Sequence, residues 1–324
     1  MKVLVTGACG FAGSHIVEEL LSNPENEVVA LDRLTYAGRL DRLAHLDRSR
    51  IQFVCYDFRF PFSAETLKQI GDVDHIIHNG AESHVARSFV NPRVFVESNI
   101  LGTLHVLEAA RKLQPKKFIY ISTDEVFGPA REVPYKENDL LRPTNPYAAT
   151  KASGEFLAYS YFHSFDLPVI ISRTMNIFGP RQHAEKMVPK IIGQILRGEK
   201  VKIHGTFTNA DIKWGWQSGT RNWLHAREQA NALMFLLAHG VPGEKYNIAG
   251  VEKSNLEIFR FVAKQLKVLA MWEWAEPDAP IHDFSYALDD SKIRSLGWKS
   301  PLDFETALRD TVLWTKENQK WLEE

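Results

Sequence analysis

The chain has 324 residues, 44% hydrophobic and 24% charged, enough apolar material for one large or two unequal folded units and too much for a disordered chain. Its formal net charge of −1 offers no chain-wide basic field for a nucleic-acid backbone. Two cysteines, Cys9 and Cys55, are too few for a disulfide framework and fit no metal-ligand spacing, so both are expected as buried free thiols and no metal is expected.

The N-terminal run MKVLVTG enters a strand without a leader's apolar core, and no run of about 18 apolar residues follows, so the expected compartment is the cytoplasm, away from the membrane. The β-branched runs KVLVTG, EVVALD, IQFVCYD, DHIIHN, KKFIYIS and PVIISR alternate with helical spacing near 11–22, 93–113 and 146–166. Apolar strands separated by helices predict a parallel sheet covered on both faces, a doubly wound α/β fold of the Rossmann type. Asn91-Pro92 and Asn145-Pro146 mark where the second and third of these helices start.

Beyond residue 175 the rhythm changes to loops, with helices expected near 187–197, 226–238, 254–266 and 303–320. This predicts a dinucleotide-binding domain over 1–174 and a smaller C-terminal substrate lobe over 175–324, with the chain free to cross between them. The Trp- and Gly-rich stretch from Thr206 to Thr220 is not expected to form regular structure.

Gly7, Gly10 and Gly13 lie between the first strand and the first helix, with Phe11 and Ala12 opening that helix. A tight glycine turn there lets backbone N–H groups and a helix N-terminus meet a pyrophosphate. The second strand ends at Asp32, 19 residues past Gly13, where a carboxylate can accept from the adenosine ribose hydroxyls and repel a 2′-phosphate. That favours NAD over NADP, although the adjacent Arg33 argues mildly the other way. Asp57, closing the third strand beside Phe58, is placed either to touch the adenine or simply to turn the chain.

Tyr147 and Lys151 stand four residues apart in NPYAATKASGE, so a helix puts them on one face, where an ammonium can lower the phenol's pKa. Upstream, IYISTDEVFG sets Thr123, Asp124 and Glu125 at the carboxyl end of the fifth strand, where ligands of such sheets bind. Adjacent carboxylates push their pKa values apart, as an acid and a base at one site require.

Together the glycine turn, this strand end and the Tyr/Lys pair resemble the extended short-chain dehydrogenase/reductases. Within them the chain is similar over nearly its full length to dTDP-glucose 4,6-dehydratases, through LDRLTYAGRLDRL, GAESHVARS, ISTDEVFG, NPYAATKAS, RTMNIFGPRQHAEKMVP and HDFSYALDDSK. The resemblance implies a hydro-lyase that recycles NAD within each turnover and yields a 4-keto-6-deoxy sugar. Tyr147 would take the proton of the sugar 4-hydroxyl, Thr123 would bond the 4-oxygen, Glu125 would take the carbon-5 proton and a protonated Asp124 would serve the leaving 6-hydroxyl. Besides the glycine turn, it implies cofactor contacts at Asp57, Phe58, Ala81, Ser83, Asn99, Tyr147 and Lys151. Sugar and diphosphate contacts are implied at Ser83, Asn176, Lys186 and Arg221. His84 of the same ESH stretch has an equal claim to a structural role, and Asn99 could hold a water or brace Lys151.

Four-helix pairing to a homodimer is also implied, and Val94, Ile100, Leu101, Leu104, Phe156, Tyr161, Phe162 and Phe165 make the helices at 93–113 and 146–166 more apolar than one sheet contact explains. The chain departs from the family pattern at Ala86 and Asn222, each in place of Asp, and in LHARE for LYVED. It also places 15 residues between His204-Gly205 and Arg221, where the family has a short turn. That insertion is expected over the nucleotide-sugar entrance, with Trp214 and Trp216 as stacking planes and Asn209, Asp211 and Gln217 reading the base. The competing readings are a UDP-sugar 4-epimerase or decarboxylase, against which Asp124-Glu125 counts, and a non-enzymatic NAD-binding protein, against which Tyr147 and Lys151 count.

Overall fold

In the computed structural model, which describes residues 1–129, 133–210, 213–276 and 287–323, the apolar runs form one seven-stranded parallel sheet. Its first six strands are Lys2–Thr6 (β1), Glu27–Asp32 (β2), Ile51–Cys55 (β3), His75–His78 (β4), Lys117–Thr123 (β5) and Val169–Thr174 (β6). Helices Phe11–Leu21 (α1), Ala64–Ile70 (α2), Val85–Val90 (α3), Pro92–Phe95 (α4), Gly102–Leu113 (α5) and Pro146–Phe165 (α6) connect them. Two apolar layers sandwich the sheet, one including Ile16, Leu20 and Leu233, the other Val106, Phe118 and Ala158, so both faces of each central strand are buried.

The remaining chain supplies Asn176–Phe178 (β7), Met187–Leu196 (α7), Val201–Ala210 (β8), Lys213–Ser218 (β9), Thr220–His225 (β10), Ala226–His239 (α8), Lys245–Ile248 (β11) and Val251–Ser254 (β12). It ends with Asn255–Leu266 (α9), Trp272–Ala275 (β13), Ser291–Ser295 (α10) and Phe304–Glu317 (α11). The chain crosses back after residue 175, because β11 pairs with β6 in the large sheet and Leu233 and Leu236 of α8 join the apolar layer of α1. Sheet order is β11-β6-β5-β4-β1-β2-β3. The order reverses between β1 and β4, and a crevice opens at their carboxyl ends.

Three expectations are corrected. Residues 93–113 are not one α-helix: α4 runs into a π-helical turn over Val96–Leu101 before α5 begins. The widened turn carries Asn99, whose side chain is held by the backbone of Glu82. The stretch after Gly205 is regular, since β8 and β9 form an antiparallel hairpin in which Phe207 lies directly opposite Trp216. Cross-strand aromatic pairing outweighs the glycines that suggested a loop. Cys55 is exposed, being the last residue of an edge strand, whereas Cys9 is buried. Among the described residues no helix is long and apolar enough to cross a membrane.

Candidate active site

A cleft of about 820 Å³ follows the carboxyl edge of the large sheet and continues between it and the segments around β8 and β10. On its sheet side the β1–α1 turn is shaped by glycine: Gly7 has φ +64°, and a Cβ on Gly13 would lie 2.0 Å from the Gly7 carbonyl oxygen. Gly10, the N-cap residue of α1, supplies no side-chain cap, and Gly10, Phe11 and Ala12 line the cleft. The first helical N–H groups therefore face a space suited to an anion, and these residues fit a dinucleotide's pyrophosphate.

Asp32, at the tip of β2, is buried but lines the cleft, and its carboxylate accepts from Cys9 N at 2.9 Å and Leu34 N at 2.8 Å. Desolvation raises its pKa while these N–H donors oppose the shift. Phe58, Ala81 and Ser83 also line the cleft, whereas Gly13, Asp57 and Asn99 do not. Asp57 is occupied by Arg33 and Arg59. Asn99 clamps Glu82 through both backbone groups and donates to Thr150 at 3.0 Å, so it braces the loop after β4 and helix α6, with Lys151 held elsewhere. His84 caps α3 and lies 3.5 Å from Glu185, across the cleft mouth.

The catalytic candidates meet where β5 ends. Thr123 donates to Asp124 Oδ1 at 2.9 Å and lies beside the Tyr147 phenol. Asp124 is buried, and among the described residues its Oδ2 has no hydrogen-bond partner. Desolvation, and then the Glu125 charge, push its pKa up to about 7, while Thr123 and Arg221 pull the other way. A carboxyl group in that state holds its proton near neutrality. Glu125 accepts from Asn145 Nδ2 at 2.8 Å.

Asn145 is the N-cap of α6, its Oδ1 accepting from Ala148 N at 2.8 Å, with Pro146 preset for the first turn. The helix carries Tyr147 and Lys151 into the cleft. Its close seat on β5 depends on Gly154, since a Cβ there would lie 2.1 Å from the Tyr120 hydroxyl. Lys151 is engaged on β5. Its ammonium donates to the Ile121 carbonyl at 2.6 Å and lies 4.4 Å from the centre of the Tyr120 ring. Burial pushes Lys151 down to about 7, and burial followed by the Glu125 charge pushes Tyr147 up.

Across the cleft stand Asn176 at the start of β7, Lys186 at the N-cap of α7 and Arg221 on β10. Burial lowers the pKa of Lys186, with Glu185 and Glu125 opposing, and Arg221 donates to its neighbour's carbonyl, Thr220 O, at 2.7 Å. Gly205 and Thr206 at the hairpin's base line the cleft, but Trp216 does not: it stacks on Trp274 with centroids 5.7 Å apart and planes 6° from parallel. The expectation that Trp216 presents a plane to a base is thus corrected, because Trp274 of β13, which pairs with β8, stacks on that face. Asn209, Asp211 and Trp214 lie outside the described side chains, and residues 282–286 of the 282–292 motif lie outside the described residues. Among the described residues no cluster could hold a metal ion.

The sequence signature of the NAD dependent epimerase/dehydratase family matches residues 3–249. The chain belongs to that family. Low-salt glycan biosynthesis protein Agl12 of Haloferax volcanii is 41% identical over 96% of this chain and 97% of its own length. dTDP-glucose 4,6-dehydratase 1 of Escherichia coli is 35% identical over 100% and 95%. The crystal structure of DesIV, a dTDP-glucose 4,6-dehydratase from Streptomyces venezuelae with NAD and TYD bound, superposes with a TM-score of 0.90 at 36% identity, covering 100% of this chain and 99% of that one. A UDP-glucuronic acid 4-epimerase from Bacillus cereus follows at 0.88 and 28%, covering 98% and 100%. NAD is the cofactor of the family, and the β1–α1 turn is built to receive it.

Two contributors to the family site escaped the sequence reading. Asn145 was legible as a helix start but not as the group that orients Glu125, although an N-cap two residues before Tyr147 was the available signal. The second is the group of Tyr36, Arg87 and His183 at the cleft mouth, where Arg87 lies 3.7 Å from the Tyr36 ring centre and Tyr36 packs edge-on to His183 at 5.6 Å. Their separation in sequence left no local pattern.

Proposed function

We propose that this protein is a nucleotide-sugar 4,6-dehydratase, acting as a cytoplasmic homodimer, with dTDP-glucose the first substrate to test. The reading rests on one observation: a buried Asp124, held by Thr123 beside Glu125 and the Tyr147 phenol, with its pKa raised to about 7. A 4-epimerase needs a Tyr base and a hydroxyl at this corner, whereas water elimination also needs an acid for the leaving hydroxyl and a base for the carbon-5 proton. Exposed Leu101, Phe156 and Phe165 (44%, 63% and 46% of their surfaces) on the π-turn and α6 support the dimer. Tyr161 is buried and bonded to Glu108, so it belongs to the protomer's own packing.

In this reading NAD+, held at the β1–α1 turn, would supply the reversible hydride acceptor that serves carbon 4 and then carbon 6, and a positive charge that would favour the Tyr147 phenolate. Tyr147 takes the 4-hydroxyl proton, and Thr123 holds the 4-oxygen. The ketone acidifies the carbon-5 proton, which Glu125 removes. Asp124 gives its proton to the departing 6-hydroxyl, which leaves as water; as carbon 6 receives the hydride, Glu125 returns its proton to carbon 5, and the proton held by Tyr147 replaces the one Asp124 gave. Ser83, Asn176, Lys186 and Arg221 hold the sugar and diphosphate, with Lys186 and Arg221 supplying the cationic contacts.

The test is product analysis by mass spectrometry and NMR with a panel of dTDP-, UDP-, CDP- and GDP-glucose. A product one water lighter, with a ketone at carbon 4 and a methyl group at carbon 6, is expected. A product of unchanged mass, inverted at carbon 4, would replace this reading with the epimerase one.

A further inference from the structure

Arg33 directly follows Asp32 at the end of β2, a position from which a guanidinium can meet a phosphate on the adenosine ribose 2′-oxygen. In this molecule it is held by two carboxylates. One terminal nitrogen donates to Asp57 Oδ2 at 3.1 Å and the other to Glu82 Oε1 at 3.1 Å. The three side chains are only 19%, 21% and 12% exposed, so screening by water is partial.

Both acceptors are themselves fixed. Asp57 also accepts from the Arg59 guanidinium at 2.7 Å and its backbone N–H at 3.0 Å, and the Glu82 backbone is gripped by Asn99. Just after Arg33 the chain turns sharply, with Leu34 at φ +54° donating its N–H to Asp32 Oδ1. Asp32, Arg33 and Glu82 all line the cleft.

We propose that the Asp57–Arg33–Glu82 clamp is a determinant of NAD over NADP. Asp32 repels a 2′-phosphate, and the clamp denies that phosphate the cation that adjoins it in sequence. Selectivity is therefore shared between a repelling carboxylate and a sequestered arginine. The inference rests on the reading of Asp32 as the ribose-binding carboxylate.

The experiment equilibrates the full-length protein with equal NAD+ and NADP+, removes free nucleotide, and measures the retained NADP:NAD ratio after denaturation, together with calorimetric affinities. The ratio cancels any adenine contact that both nucleotides share. Asp32→Ser is expected to weaken NAD+ without giving strong NADP+ binding. Adding Glu82→Gln and Asp57→Asn frees Arg33 and raises the ratio by about tenfold or more, the scale of one charged hydrogen bond. Adding Arg33→Met then returns the ratio to that of Asp32→Ser. A rise that survives Arg33→Met, or no rise in a folded triple variant, overturns the clamp. If the triple variant does not fold, Asp32→Ser with Glu82→Gln alone should show a rise of about threefold that Arg33→Met abolishes; no such rise overturns the clamp equally. Unchanged NAD+ affinity in Asp32→Ser overturns the reading of Asp32, and the clamp with it.

Discussion

The corner where β5 meets α6 and the hairpin of β8 and β9 both border the cleft, but they are held by different forces. At the corner, polar groups are buried or half-buried, with Asn145 bonded to Glu125 and Thr123 bonded to Asp124 beside the Tyr147 phenol. At the hairpin, Trp216 packs on Phe207 and on Trp274 of β13, and only the hairpin's base reaches the cleft. Buried polar groups tolerate few alternatives because each lost partner leaves a desolvated atom, whereas stacked rings lose contact area gradually. The corner should thus fail sharply when altered and the hairpin mildly.

The largest effect is expected at Tyr147. Tyr147→Phe should cut turnover by roughly 10³-fold and show no NADH absorbance on mixing with substrate, as measured by stopped flow. Asp124→Asn and Glu125→Gln should each slow product formation by about 10²-fold while still allowing oxidation at carbon 4, so NADH absorbance builds up. Normal product formation in both would remove the carboxylates from the reaction.

The same corner has a pH signature. With Asp124 titrating at about 7, its acid form is lost as pH rises, so the product-forming rate should fall above that value; the falling limb should be absent from the residual rate of Asp124→Asn. Gly154→Ala probes the seat of the helix without touching a reacting group. A methyl 2.1 Å from the Tyr120 hydroxyl must move α6 or that ring, at a cost of about 2 kcal/mol in a denaturant titration, with lower kcat than KM change would explain.

The smallest effect belongs to the hairpin. Trp216→Ala should cost about 1 kcal/mol and leave retained NAD unchanged. A large rise in KM for the nucleotide sugar in that variant would erase the contrast, by making the hairpin a substrate contact after all.

The same contrast explains what could be read from sequence. Gly7, Gly10 and Gly13, the Thr123–Glu125 triplet and the Tyr147/Lys151 spacing are local patterns, each within one turn or one strand end, and the structure brings most of them to one cleft. The charge state of Tyr147 was not local: it depends on Glu125 and on burial, and Lys151 turns to a carbonyl 30 residues away. Arg33 looked ambiguous because its partners lie 24 and 49 residues downstream. In the hairpin, glycine suggested irregular chain, while the Phe207–Trp216 pairing that orders it becomes visible only once the two strands are in register.

The return of β11 to the large sheet has a consequence for how this polypeptide can be cut or grafted. A fragment ending at Thr174 would keep every motif of the dinucleotide site, yet leave β6 as an open edge, with Ile171 and Arg173 unpaired on the side β11 covers, and strip α8 from the apolar face of α1. The chain beyond residue 175 is therefore also scaffolding for the sheet that carries the dinucleotide turn. Swapping the chain beyond residue 175 between relatives would exchange a sheet strand and a core helix along with the far wall of the cleft, so grafts should respect three-dimensional seams, joining only the β7–α7 segment and the hairpin to an intact host.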